Sequence, residues 1–415
     1  MVTLIKKALF YITKGNQIFF SNKKRHKTSF LYFPYFNESS QLSDHINRIR
    51  WYIPNNDHAE VRIFVRGNIR DGQKLSPPPN QRTDIVQNDS SHIKTYRNLN
   101  ISFKAMLEAD IICVWDVNAS IMLKVLPFIY KVRIVDPTFY KYTESHTNSG
   151  LLWYDIFNEK MREKAIRRSH ELYSNFSEQY DDQSKTSFLF GTGPSIDISE
   201  TANFNDGINI ICNTIVKNKK LLVKIKPKAI TFTDCVFHFG VSKYCELFLS
   251  DVRKVSLEYN SLIITNLVGY ALISTHYPEL EDKLIGLPAY RKGKPSIVSR
   301  SKFRAKAYPY SIITRIMLPF AAGISKKIVM IGFDGRDPED TYFWKHNQTV
   351  QYENMKDVWD CHPTFFSDTD YKKHYEGHCK VLDEVITELE EKGKEIKEWG
   401  FSYVPILNDR IEESN

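Results

Sequence analysis

Phe188-Leu189-Phe190-Gly191-Thr192-Gly193-Pro194-Ser195 is the stretch whose reading decides the fold: a short apolar strand running into a Gly-x-Gly turn. Three more strand-like runs follow, Ile208–Cys212, Ile230–Thr233 and Ile328–Phe333, and polar residues, Asn213, Asp234 and Asp334, stand at their ends. In an open parallel sheet, ligands bind beyond the carboxyl ends of the strands. The turn and the three polar residues are therefore expected to converge on one crevice, as in a nucleotide site. Glycine lets the backbone take positive φ and approach a ligand closely, and successive N–H groups in such a turn make an anion-binding concavity. Pro194 fixes φ, and Ser195 is placed to cap a helix starting near Ile196, whose positive end would add to the attraction. By itself the turn fits a plain tight connection equally well. The third glycine of a dinucleotide fingerprint is replaced by Ile196, and no Gly-Lys-Ser/Thr follows as in a P-loop.

The 415 residues suit two or three domains on a prior of about 150 residues each. With 57 basic and 49 acidic residues, the net charge of +8 favours anionic partners but is too scattered for nucleic-acid binding. Six cysteines without CxxC spacing suit reduced thiols and a cytoplasmic setting. No run of 18 apolar residues predicts a membrane-spanning helix. No acidic residue precedes Glu38, whereas Lys6, Lys7, Lys14, Lys23, Lys24, Arg25 and Lys27 do, with Leu4, Ile5, Leu9, Phe10 and Ile12 among the first of them. A signal peptide is not expected, because lysines interrupt the apolar stretch. A solvated first helix and a peripheral contact with the inner face of the plasma membrane both fit this composition.

Upstream of the Gly turn, strands are expected at Phe30–Phe33, Val61–Val65, Ile111–Trp115 and Val132–Val135, the last two running into Asp116 and Asp136. Helical patterns span Ile46–Tyr52, Ile121–Tyr130 and Trp153 to about Tyr180. Alternation of strands and helices in both halves predicts two Rossmann-like α/β domains, residues 1–180 and 181–415.

The run Arg291, Lys292, Lys294, Arg300, Lys302, Arg304, Lys306 reads either as a solvated loop or as a grip on an acidic substrate. It leads to Ser311 and an apolar helix, Ile312–Ala322, kinked by Pro319 and ended by Gly323. Residues 335–377 lack periodicity, as lids and binding loops do. Periodicity resumes at Val381, and a last strand is expected at Phe401–Ile406. His362, His374 and His378 are candidates for proton exchange near neutrality, with His378 read as starting a helix just past Gly377. Cys361 and Cys379 would extend them to a zinc set, but Gly377 disfavours the helix that an H-x-x-x-H pair requires. Asp334, Asp337, Glu339 and Asp340, and the Asp368-Thr369-Asp370 stretch, fit Mg²⁺ binding less well than solvated acidic loops.

Residues 186–408 resemble the bacterial CMP-sialic-acid-dependent sialyltransferases that modify lipooligosaccharide. That family opens on a Gly-Asn-Gly-Pro-Ser turn, similar to Gly191–Ser195, and carries Cys-Asn after its second strand, as in Cys212-Asn213. It has Gly-x-Asp after a late strand, as in Gly332-Phe333-Asp334, and a tyrosine eight residues on, as in Tyr342. Its His-Tyr-x-Gly-His-x-Lys motif is similar to His374-Tyr375-Glu376-Gly377-His378-Cys379-Lys380, and the five motifs keep their order.

The resemblance implies that Gly191, Thr192, Gly193, Pro194, Ser195, Asn213, Asp234 and Asp334 hold cytidine and ribose. It implies that Ser311 and Tyr342 contact the phosphate, that His378 is the general base, and that neither metal nor cofactor is needed beyond the CMP-activated donor sugar. The chain departs from the family at Thr192 and Asp234, where the family has asparagine, and at Arg336, where it has a second phosphate tyrosine. Arg336 can still neutralise the leaving group. The first 185 residues or so have no counterpart in the small sialyltransferases. An added Rossmann-like domain implies a GT-B-like arrangement, as in some Kdo transferases, which also use CMP-activated sugars.

The reading is a metal-independent glycosyltransferase moving sialic acid, Kdo or a related acidic sugar onto a glycan or glycolipid of bacterial lipopolysaccharide or capsule. Two alternatives stand beside it: a Mg²⁺-dependent pterin-type pyrophosphokinase with a similar Gly-x-Gly-Pro-Ser turn, and a non-catalytic carbohydrate-binding protein.

Overall fold

The computed structural model describes residues 28–53, 59–66, 69, 75–85, 91–139, 152, 156–157, 159–335, 348–367 and 370–412. The chain forms two compact units. One gathers Met1–Asn158, Cys235–Glu246 and Asn354–Asp368; the other holds Glu159–Asp234, Leu247–Glu353 and Thr369–Asn415. Both are Rossmann-like, each with a single all-parallel main sheet.

The first sheet is built from β1 (Thr28–Phe33), β2 (Ala59–Val65), β3 (Ile93–Arg97), β4 (Ile111–Val114) and β5 (Val132–Ile134), in the order β3-β2-β1-β4-β5. Its central strands read Phe30-Leu31-Tyr32-Phe33 and Ile111-Ile112-Cys113-Val114, buried throughout, as parallel strands covered on both faces must be. β3 was not expected: Lys94, Thr95 and Arg97 give it no apolar alternation, which an edge strand does not require.

Two distant segments complete this unit through hydrogen bonds accepted by backbone carbonyls. Residues 235–246 return because Trp51 Nε1 donates to Phe239 O at 2.8 Å, Arg82 N to Val241 O at 2.8 Å and Lys243 N to Asn80 O at 2.9 Å. Residues 354–368 are held by Arg48 Nη2 on Cys361 O at 2.9 Å and Thr364 Oγ1 on Pro137 O at 2.9 Å.

The second sheet contains β6 (Ser187–Phe190), β7 (Ile208–Cys212), β8 (Ala229–Thr231), β9 (Leu262–Asn266) and β10 (Leu284–Leu287). After a small ribbon of β11 (Ala289–Tyr290) and β12 (Ala305–Lys306), it adds β13 (Lys327–Ile331) and β14 (Glu395–Trp399). The order is β10-β9-β8-β7-β6-β13-β14. The helix Glu159–Glu178 packs in this unit: Tyr173 and Phe176 join its core, and Tyr173 Oη donates to Val298 O at 2.6 Å.

Three expectations are corrected. The last strand is Glu395–Trp399, and residues 405–408 form a helical turn that Pro405 starts, because Gly400 (φ +111°) ends the strand before the aromatic stretch. The helix expected from Gly377 onward runs from Tyr371 to Glu391, with Gly377 inside it. The Ile312 segment is a π-helical turn, Ile313–Met317, continuing as Leu318–Ile324 beyond Gly323. Gly323 does not end it; any side chain there would strike Val298 O and Tyr173 Oη.

Candidate active site at the carboxyl edge of the second sheet

The second sheet reverses its strand order between β6 and β13, the position where α/β folds open a crevice. Register pairs Phe190 with Ile331 on one side and with Ile211 on the other. One residue on, Gly191 packs against Gly332, just past the end of β13.

The glycines of the turn answer to its neighbour. Gly191 N donates to Ile331 O at 2.7 Å, and Gly193 N to Gly332 O at 2.9 Å. A Cβ at Gly191 would strike Gly332 O, and one at Gly193 would strike the Asp334 carboxylate. Gly332 itself takes φ +78°. Two loops thus pack backbone to backbone, which only glycine permits. The expected anion concavity is corrected accordingly, since these amides already have acceptors. So is the expected helix: residues Pro194–Glu200 form a 3₁₀ turn, and Asp334 caps it in place of Ser195. Ser195 N donates to Asp334 Oδ1 at 2.9 Å and Ser195 Oγ to Oδ2 at 2.8 Å.

Burial raises the Asp334 pKa, against the pull of those Ser195 bonds. Beside it is a residue that the sequence reading missed. Glu398, on β14, is fully buried, and its pKa is raised well above the ordinary value, first by burial and then by the Asp334 charge. Neither of its carboxyl oxygens makes a hydrogen bond, although the nearby Phe333 backbone partly favours the ionised form. Two carboxyl groups with raised pKa values therefore sit under one crevice, an arrangement common at functional sites.

Asn213 stands at the end of β7 with φ +49°. Asparagine tolerates this left-handed conformation better than most residues, yet a non-glycine residue held there costs on the order of 1–3 kcal/mol. Its Oδ1 is buried without a hydrogen-bond partner. An unsatisfied buried acceptor in a strained residue at a sheet's carboxyl edge points to a ligand donor. Asp234, partly buried, lies three residues beyond the end of β8.

The helix Tyr371–Glu391 brings the histidines. Asp370 caps it, accepting from Lys373 N at 3.0 Å. Tyr375 Oη donates to Tyr403 O at 2.7 Å, and Tyr403 N to Asp334 O at 2.7 Å. A continuous path thus links Ser195, Asp334, Tyr403 and the first turns of this helix. On its other side Gly377 is pressed against the Tyr310 ring, which meets His374 edge-on at 5.2 Å. Ser311 follows Tyr310, and its Oγ accepts from Ile313 N at 3.2 Å, capping the π turn.

His374 and His378 share a helical face at i, i+4 spacing; the glycine between them does not break the helix. His378 lies seven residues into it, not at its start. Its Nδ1 is buried and makes no hydrogen bond. Burial first, and the neighbouring His374 second, push its pKa down to about 4. His362 belongs to the first unit, buried against Gly240. Among the described residues no group of three or more His, Cys, Asp or Glu side chains is placed to hold a metal ion. Arg336, Tyr342, Asp337, Glu339, Asp340, Asp368 and the basic residues before Thr28 lie outside the described residues. No helix among those described is long and apolar enough to cross a membrane.

The sequence matches no protein-family model and no curated protein. Among solved structures, the glycosyl transferase family 9 protein from Veillonella parvula DSM 2008 aligns with 89% of this chain and 99% of its own length. The identity is 11% and the TM-score 0.19, so the likeness carries no argument about this chain.

Proposed function

We propose that this protein is a glycosyltransferase that moves an acidic sugar, of the sialic acid or Kdo kind, from a CMP donor to a hydroxyl of a bacterial surface glycan. The observation that carries the reading is His378: a neutral imidazole with a buried, unpartnered nitrogen, on a helix tied to the switch-point crevice. The acceptor oxygen forms a bond to the anomeric carbon as the bond from that carbon to the CMP phosphate breaks. The electron pair leaves with the phosphate, and the hydroxyl proton passes to His378. A pKa of about 4 keeps the ring unprotonated and ready to accept. The charge of a bound CMP phosphate raises it towards the range in which general bases work best.

Asn213 Oδ1 accepts from the exocyclic amine of cytosine, which satisfies its buried lone pairs. Thr192 and Asp234 take the ribose. Asp334, bonded twice to Ser195, holds the turn that shapes the pocket. Ser311, Arg336 and Tyr342 meet the phosphate, where donors stabilise the charge that develops on the leaving group.

A thermal-shift screen across CMP, CDP, UDP, GDP and ATP tests the donor class. Selective stabilisation by CMP is expected, since a ligand at 100 times its dissociation constant adds about 2.7 kcal/mol. Selectivity for UDP or GDP would move the protein to another donor. Stabilisation by ATP only with Mg²⁺ would favour a pyrophosphokinase.

A further inference from the structure

The basic run from Arg291 to Lys306 divides into two populations. Lys294 is held by Glu388 at 2.9 Å, Arg300 by Glu178 and Asp181, and Lys306 by Glu384 at 2.9 Å. Among the described residues Arg291, Lys292, Lys302 and Arg304 have no carboxylate partner, and these four line one open groove of about 650 Å³. The single acidic residue in its lining, Glu388, is already shared between Lys294 and Lys392, each at 2.9 Å. The groove therefore carries a large uncompensated positive charge, which repels itself unless an anion enters.

Its walls are fixed. Tyr290 Oη donates to Lys294 O at 2.9 Å and lies 2.9 Å from Ser296 Oγ, closing the 290–296 loop on itself. The Arg304 guanidinium lies over the Tyr290 ring at 5.0 Å. Lys392 Nζ donates to Pro295 O at 3.0 Å, pinning the loop to the end of the helix Tyr371–Glu391. Ser299 and Lys302 exchange backbone hydrogen bonds at 3.2 and 3.1 Å. The four cations are thus displayed on a braced surface.

That helix also carries His378. Glu388 lies ten residues further along it, or about 15 Å at 1.5 Å per residue. The groove is accordingly separate from the crevice and within reach of one extended chain.

We propose that this groove is a second site, which binds a polyanionic glycan, a chain bearing repeated carboxylates, and so holds the acceptor or product away from the reacting end. The identity of the chain rests on the proposed transfer of acidic sugars; the anion site itself does not. Fluorescence titration of the full-length protein with an oligogalacturonate, without CMP, tests it. Arg291→Ser/Lys292→Ser/Arg304→Ser is expected to bind about tenfold more weakly, the loss of three solvent-screened charge contacts, with an unchanged melting temperature. Lys228→Ser/Lys326→Ser, surface lysines outside the groove, should bind as the parent does. Equal affinity in both variants would overturn the proposal, as would competition by inorganic phosphate as effective, per charge, as the oligomer. Binding only to phosphatidylglycerol vesicles would overturn it too, in favour of a lipid surface. A protein that binds the oligomer at the groove yet fails to bind CMP would sink the transferase reading and leave the anion site standing.

Discussion

Beyond β1 and β4, where the first sheet reverses its strand order, Phe36 stacks on Trp115 at 4.4 Å and His45 tilts against the same indole at 5.1 Å. At the equivalent place in the second sheet, beyond β6 and β13, stand Gly191, Gly193 and Gly332. The topology is shared, and the filling is opposite. Rings close the first crevice: Phe36 and Trp115 are buried, and Trp115 Nε1 donates to Pro34 O at 3.0 Å. In the second, bare backbone packs on bare backbone, and the polar atoms left without partners, Asn213 Oδ1 and the Glu398 carboxyl, collect around it. A Rossmann-like sheet provides a place for a ligand; side chains decide whether that place becomes core or site.

The sharpest test of this contrast is His378→Ala. It should cut sugar transfer by roughly 10²–10⁴-fold while CMP affinity, read by calorimetry, stays within a factor of two or so. His374→Ala and His362→Ala should do far less. Near-normal turnover in His378→Ala would sink the proposed mechanism.

At the ring-filled crevice the same operation should act on stability. Trp115→Ala is expected to cost about 3–5 kcal/mol in denaturant unfolding, with CMP binding untouched below the transition. If CMP affinity fell with the tryptophan, the first crevice would share in nucleotide binding and the contrast would fail.

Acid should find the second unit through His378. Its pKa is about 4 in the folded protein, below the 6.5 of a free histidine. As pH falls from 6.5 to 4, the unfolded chain takes up a proton that the folded chain refuses. Stability is therefore full above pH 6.5 and declines by on the order of 2–3 kcal/mol by pH 4. Unfolding curves of His378→Gln should lack this part of the slope; identical slopes would mean that the ring is hydrated.

Glu398→Gln should stabilise the protein at neutral pH, because burial and the Asp334 charge raise the pKa of its carboxyl. A carboxyl with a raised folded pKa lowers stability as pH climbs past its unfolded value, and an amide removes that penalty. Loss of stability in Glu398→Gln would show that the ionised carboxylate is needed under Asp334.

Asn213→Ala carries the smallest effect: CMP binding weaker by roughly 0.5–1.5 kcal/mol, the worth of one hydrogen bond. Unchanged affinity would place the base elsewhere.

Much of the second sheet was readable before folding. Phe188–Phe190 and Ile328–Phe333 are apolar throughout, and Ile208–Cys212 is so but for the buried Asn209, as parallel strands covered on both faces tend to be. The polar residues at their ends stood out by contrast, and the crevice followed. What stayed hidden depends on partners far away in the chain. Glu398 falls before the expected last strand, and nothing marks it until β14 lies beside β13 and brings Asp334 to it. The turn glycines suggested an anion cradle because nothing local shows that the Ile331 and Gly332 carbonyls will take their hydrogen bonds. Gly377 suggested a helix boundary because its tight contact with Tyr310 arises only on packing. Polar β3 hid for the reason that edge strands can afford to be polar.

The scattered make-up of the first unit has a consequence on the ribosome. Its sheet is encoded by Val135, yet the peptide groups that take the Arg48 and Trp51 side-chain bonds belong to Cys361 and Phe239. Translation at roughly 5–20 residues per second needs on the order of half a minute to travel from Asn158 to Asp368. Until Phe239 and then Cys361 emerge, the nascent first unit lacks the carbonyls that take the bonds of Trp51 Nε1 and Arg48 Nη2, and chaperones have their longest opportunity there. A gene cut after residue 158 would yield the strands of a Rossmann-like sheet without the two segments that complete the unit.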